Sequence, residues 1–110
     1  MGKQLSNYYQ IGNPAYSEVF LSIDLFDELM VSLAGIYLQL ELNEKNKDTP
    51  DSELVESYHQ RHQDLLILKE SFPINAIEDR EKAIDIYSEE LNQANLLLQL
   101  NLESQYLTEH

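Results

Sequence analysis

Apolar residues stepped four and three apart through most of the first half of the chain constrain its fold more than anything else. Val19, Ile23, Phe26, Met30, Leu33, Tyr37 and Leu40 keep that step without a break. With 3.6 residues per turn, the pattern holds one apolar seam on one side of a helix for about six turns. Such a seam is built to pack against other helices. Leu29 and Ile36 flank it, and Val31 and Leu38 sit further round. A helix this apolar is expected to be covered on more than one side.

Start and stop signals divide the chain into three such segments. Asn13-Pro14 reads as an N-cap followed by proline at the first helical position, with Glu18 near the positive end of the dipole. The first helix is predicted from Pro14 to Leu42, and the polar run Asn43 to Thr49 suits a helical-hairpin connection. Thr49-Pro50 repeats the cap-then-proline signal, with Asp51 and Glu53 in the first turn. The second helix runs to Phe72, striped by Leu54, Tyr58, Leu65, Leu68 and Phe72, with Arg61 in the same frame. Pro73 pushes its predecessor out of the α region and ends that helix. Asn75 with Glu78 resembles a capping box, so a third helix is predicted from Ala76 to Leu107. Its seam is Ile77, Ile84, Tyr87, Leu91, Ala94 and Leu98, interrupted by Arg80 and Asn101.

The predicted class is therefore all-α: a bundle of three long antiparallel helices, up-down-up, with dimerisation as one way to complete it. Residues 1–12, with the Tyr8-Tyr9 pair, read as a polar leader, and residues 13–110 as one domain. The middle helix is the shortest, so one end of the first helix and the opposite end of the third are expected to project. Arg61 and Arg80 in the seams call for acidic partners on facing helices. Gly35 in mid-helix marks either a close helix approach or a tolerant surface position.

Charge narrows the choice of partners. With 20 acidic and 7 basic residues the formal net charge is −13, and no Lys or Arg falls between Lys3 and Lys45 or after Lys82. That balance opposes binding to nucleic acid or anionic membranes and favours basic partners. The chain has no cysteine, which removes disulfides and thiolate chemistry. Its most apolar stretch, Leu29 to Leu40, is about half a membrane span, and residues 1–12 hold no apolar signal region. A cytoplasmic protein is expected.

The densest functional signal is the cluster Leu96, Leu97, Leu98, Leu100 and Leu102. At about 100° per residue these side chains point almost all the way round a helix. One bundle buries only part of that circumference, so Leu96, Leu97, Leu100 and Leu102, with Tyr106, are the expected partner-binding residues. A second copy or the leader would also cover them. The acidic residues Asp24, Asp27, Glu28, Asp85, Glu89 and Glu90 form the expected acidic surface. It reads as a solubilising face, as the flank of a site for a basic protein, or as a nucleic-acid mimic that blocks a basic cleft.

Enzymatic patterns are thin. Glu56, His59 and His62 stand at steps of three, but a di-iron bundle needs a second Glu-x-x-His pair, and the terminal His110 supplies none. A metal-binding bundle with zinc held by His59, His62 and a carboxylate is the remote alternative. Carboxylate pairs at Glu41/Glu44, Glu53/Glu56 and Glu78/Glu81 have the spacing used around Mg²⁺ in all-α nucleotide pyrophosphatases, yet they fall largely off the seams and lack a phosphate-binding Lys/Arg cluster. No catalytic residue, metal or cofactor is assigned. The expectation is a small acidic helical chaperone, adaptor or inhibitor that binds protein without catalysis.

Overall fold

The computed structural model describes residues 14–109, with side chains from Val19 to Ser104. Three helices pack into a bundle: α1 (Pro14–Lys45), α2 (Ser52–Ser71) and α3 (Ile77–Glu109). The bundle is elongated, 66 × 24 × 19 Å, and α1 packs against both α2 and α3. Among the described residues there is no strand, and no helix is long and apolar enough to cross a membrane.

Local polar contacts set the helix ends and correct three expected boundaries. α1 continues past Leu42 because side chains one turn apart support the extra residues. Gln39 donates to Asn43 Oδ1 at 2.9 Å, and the Lys45 ammonium pairs with Glu41 at 2.9 Å. Lys45 also places a cation at the negative end of the helix dipole. The N-cap of α2 is Asp51, not Thr49: its Oδ1 accepts from Glu53 N–H at 3.1 Å and Leu54 N–H at 3.2 Å. An aspartate that accepts two orphan donors outcompetes a threonine placed before the proline. At α3 the expected capping box falls one residue out. The Pro73 carbonyl accepts Ala76 N–H at 3.3 Å and the Ala76 carbonyl accepts Arg80 N–H at 2.9 Å, which leaves Asn75 inside the turn. Asn13, the expected cap of α1, lies outside the described residues.

The core lies along the α1 seam. Phe26, Leu29, Met30, Leu33 and Ala34 of α1 cluster with Leu65 of α2 and with Ala83 and Ala94 of α3. The Phe26 and Phe72 rings stack tilted, with centroids 4.7 Å apart. Ala83 and Ala94 have small side chains, which lets α3 approach α1 closely. Ile77, expected in the α3 seam, is exposed at the first turn, and the buried positions near it are Arg80 and Ala83. Gly35 is exposed, and a Cβ built there meets nothing within 4 Å, so no helix approaches it. Its close-approach reading is set aside.

Candidate functional site

Two polar clusters and one apolar face stand out from the bundle. The first cluster closes the corner between α1 and α2. Glu41 and Glu44, expected off the seam, are buried. The reason is periodicity: Glu44 continues the alternating step from Tyr37 and Leu40, and Glu41 stands one turn past Tyr37, so the inward side runs straight onto two carboxylates. Glu41 pairs with Lys45 and lies 3.2 Å from His59 Nδ1. Glu44 lies 2.7 Å from the Lys47 ammonium and accepts Asp51 N–H at 3.0 Å. Contact with the Lys45 ammonium, against the upward push of burial, and a further contact from His59 hold the Glu41 carboxyl below its ordinary 4.5. Lys47 and the Asp51 amide do the same for Glu44. Each acid is neutralised by its own neighbours, so the corner is a clasp between two helices and not a reactive pair.

The second cluster joins all three helices. Arg61 of α2 grips Glu90 of α3 with two guanidinium nitrogens, Nε donating at 2.9 Å, and Tyr37 of α1 donates its hydroxyl to the same carboxylate at 2.7 Å. The Tyr87 ring lies under the guanidinium. Burial pushes the Glu90 carboxyl up, but the bonds from Arg61 and Tyr37 and the Arg61 charge outweigh it and hold it low. Burial, reinforced by Glu90, raises the Tyr37 hydroxyl to about 12. The expected acidic partner of Arg61 is thus found, and Glu90 leaves the free acidic surface. Arg80 departs from expectation. Only 2% exposed, it donates to Ser22 Oγ at 3.2 Å, to the Pro73 carbonyl at 3.0 Å and to the Ile74 carbonyl. Neutral oxygens take the place of a carboxylate because the turn after α2 brings the Pro73 and Ile74 carbonyls to the guanidinium.

The apolar face lies on α3. Leu96, Leu97, Leu100 and Leu102 are 56%, 42%, 54% and 48% exposed, while Ala94 is buried and Leu98 half-buried. Helical geometry puts Leu96, Leu97 and Leu100 on one side, whereas Leu102, two residues on, points to the other. Asn101, one turn past Leu97, keeps its Oδ1 buried with no hydrogen-bond partner among the described residues. The Tyr106 side chain and residues 1–12, including Tyr8 and Tyr9, lie outside the described residues.

The acidic side chains are not gathered around these leucines. Asp24, Glu28, Asp85 and Glu89 are exposed and Asp27 is half-buried. Asp85, with Glu81, lines a groove between α1 and α3 whose apolar walls are Leu21, Leu25 and Ile84. Asp27 and Glu28 line another with Val31, Ser32 and Lys69. Asp85 and Leu97 are 12 residues apart on one helix, about 18 Å. What looks in sequence like one anchor with acidic flanks is two surfaces along the bundle. Sequence reasoning missed the apolar walls of the first groove, although Leu21 and Leu25 stand one turn apart beside the seam.

His59 and His62 both make contacts to α1. His59 turns to Glu41, and His62 Nδ1 lies 2.8 Å from the Ala34 carbonyl of α1. Among the described residues no three His, Cys, Asp or Glu side chains converge as ligands. No known protein family, curated protein or solved structure matches this chain.

Proposed function

We propose that this chain works by non-enzymatic protein binding, as an acidic helical chaperone, adaptor or inhibitor whose apolar anchor is the leucine face of α3. The observation that carries the reading is the exposure of Leu96, Leu97 and Leu100 on one side of that helix. Each such side chain forgoes about 1.5–3 kcal/mol of burial while bare. Exposed carboxylates on α1 and proximal α3 would steer a basic partner into register and raise its association rate.

An up-down-up course belongs to this proposal. Partners of α1 descend along α2, from Glu44–Asp51 through Glu41–His59 to Phe26–Phe72, and ascend along α3, from Ser22–Arg80 to Tyr37–Glu90. A cytoplasmic setting remains part of the proposal, as a cysteine-free acidic chain supports.

Affinity capture from the native cell tests it. A partner retained by the wild-type chain and lost with Leu97→Asp and Leu100→Asp supports the leucine anchor. A partner lost instead with Asp85→Lys and Glu89→Lys, but kept by the leucine variants, favours mimicry of nucleic acid.

A further inference from the structure

The groove walled by Leu21, Leu25 and Ile84 lies on the flank of α1 away from α2. Leu25 and Ala34 are nine residues apart, which at about 100° per residue sets them on opposite sides of the helix. The Ala34 side is the one that meets α2, where the Ala34 carbonyl contacts His62. Leu21 and Leu25, one turn apart, are 59% and 47% exposed, and half-buried Ile84 completes the apolar floor from α3. Two packed helices with such a floor between them offer a groove in which a further amphipathic helix can lie. Glu81 and Asp85, one turn apart on α3, edge the floor, and neither forms an ion pair among the described residues. Arg80, just before Glu81, turns inward to Ser22 Oγ and to the Pro73 and Ile74 carbonyls, and Lys82 pairs with neither acid. From Pro14 to Met30, α1 adds Glu18, Asp24, Asp27 and Glu28 and no Lys or Arg. An occupant whose apolar side chains are flanked by cations therefore matches both the floor and its edge, while an acidic one is opposed. A second copy of the chain is a poor match. Among the described residues its Lys45, Lys47, Arg61 and Lys69 are held by acids of their own chain and its Arg80 is buried, which leaves Lys82 as the one cation to offer.

We propose that this groove seats an amphipathic helix of another protein, one whose apolar stripe is flanked by Lys or Arg. The stripe lies on Leu21, Leu25 and Ile84, and the flanking cations reach Glu81 and Asp85. The proposal rests on reading the chain as a protein-binding protein, but the seat is separate from the leucine face and stands or falls without it.

A synthetic helix of about five turns tests it, with leucines along one face and lysines on both flanks. Two control peptides each keep half of the match: one replaces the leucines by serine, the other the lysines by glutamate. Titrated into the isotope-labelled full chain, the lysine–leucine helix should bind saturably, one to one, and shift the methyl signals of Leu21, Leu25 and Ile84. Both controls should bind at least about 10-fold more weakly. Leu25→Ser, at an exposed position, and the isosteric pair Glu81→Gln with Asp85→Asn should each weaken binding by about 10-fold. Leu97→Asp should leave it unchanged. No saturable binding by the lysine–leucine helix overturns the proposal. Shifts centred on Leu96, Leu97 and Leu100 also overturn it, and leave the leucine anchor standing. A serine control that binds as tightly overturns it too, because charge alone then suffices, as mimicry of nucleic acid requires.

Discussion

Glu41 and Glu44 show how single residues tie α1 to α2 and to the turn between them. Both sit on the inward stripe, buried and matched by Lys45, His59, Lys47 and the Asp51 amide. Their carboxyl groups titrate below the ordinary 4.5 in the folded chain. A depressed folded value means the stabilisation is fully present above the unfolded value and is lost as pH falls through the folded one. Thermal unfolding followed downward from pH 6 should therefore show wild type losing its advantage over Glu44→Gln below about pH 4.5. A constant gap between the two through that range would contradict the clasp. Gly35 offers the opposite test. It is in mid-helix with open space where a side chain would go, so Gly35→Ala should stabilise by about 0.5–1 kcal/mol. Calorimetry should register this as a higher Tm; a lower Tm would mean an unseen close contact.

At the scale of elements, polar junctions join the helices in addition to the core. Asp51→Ala should cost about 1 kcal/mol by removing the cap of α2, measurable by urea unfolding, whereas Thr49→Ala should cost almost nothing. Arg80 binds α3 to Ser22 of α1 and to the Pro73 and Ile74 carbonyls in the turn after α2. Arg80→Ala should cost about 1–3 kcal/mol, since it strands those acceptors in a partly buried turn. Three helices and their approximate extents were legible because long periodic runs and proline stops are strong local signals. The Phe26–Met30–Leu33 seam and the Arg61 partnership were legible for the same reason. The caps at Asp51 and Ala76 were not, because competing residues stand within two positions of each other and tertiary contacts from Glu44 and Arg80 decide between them. The buried carboxylates were missed by stopping the seam at Leu40, when the next step reaches Glu44 and Glu41 stands one turn past Tyr37. Of the candidate site, the exposure of the leucines was readable from their crowding on one helix. The separation of that face from the acidic groove was not, because it depends on how α3 lies against α1.

Across the whole molecule, greasy and charged surface are unequally distributed. Glu81 and Asp85 line the groove walled by Leu21, Leu25 and Ile84, while the segment from Leu91 to Leu102 carries no charge. Under the proposed binding function, electrostatic steering and apolar anchoring would fall to different parts of the bundle. Raising ionic strength should slow capture of a basic partner, read as a falling association rate, while leaving contacts made through the leucine face almost unchanged. The most direct test of the central claim is leucine-methyl NMR with a soluble paramagnetic agent, recorded at a dilution where the chain is monomeric. The Leu96, Leu97 and Leu100 methyls should broaden as strongly as those of Leu21 and Leu25, while those of Leu33, Leu40 and Leu65 stay sharp. Methyls of Leu96, Leu97 and Leu100 as protected as those of Leu33 in a single protomer would contradict an exposed anchor.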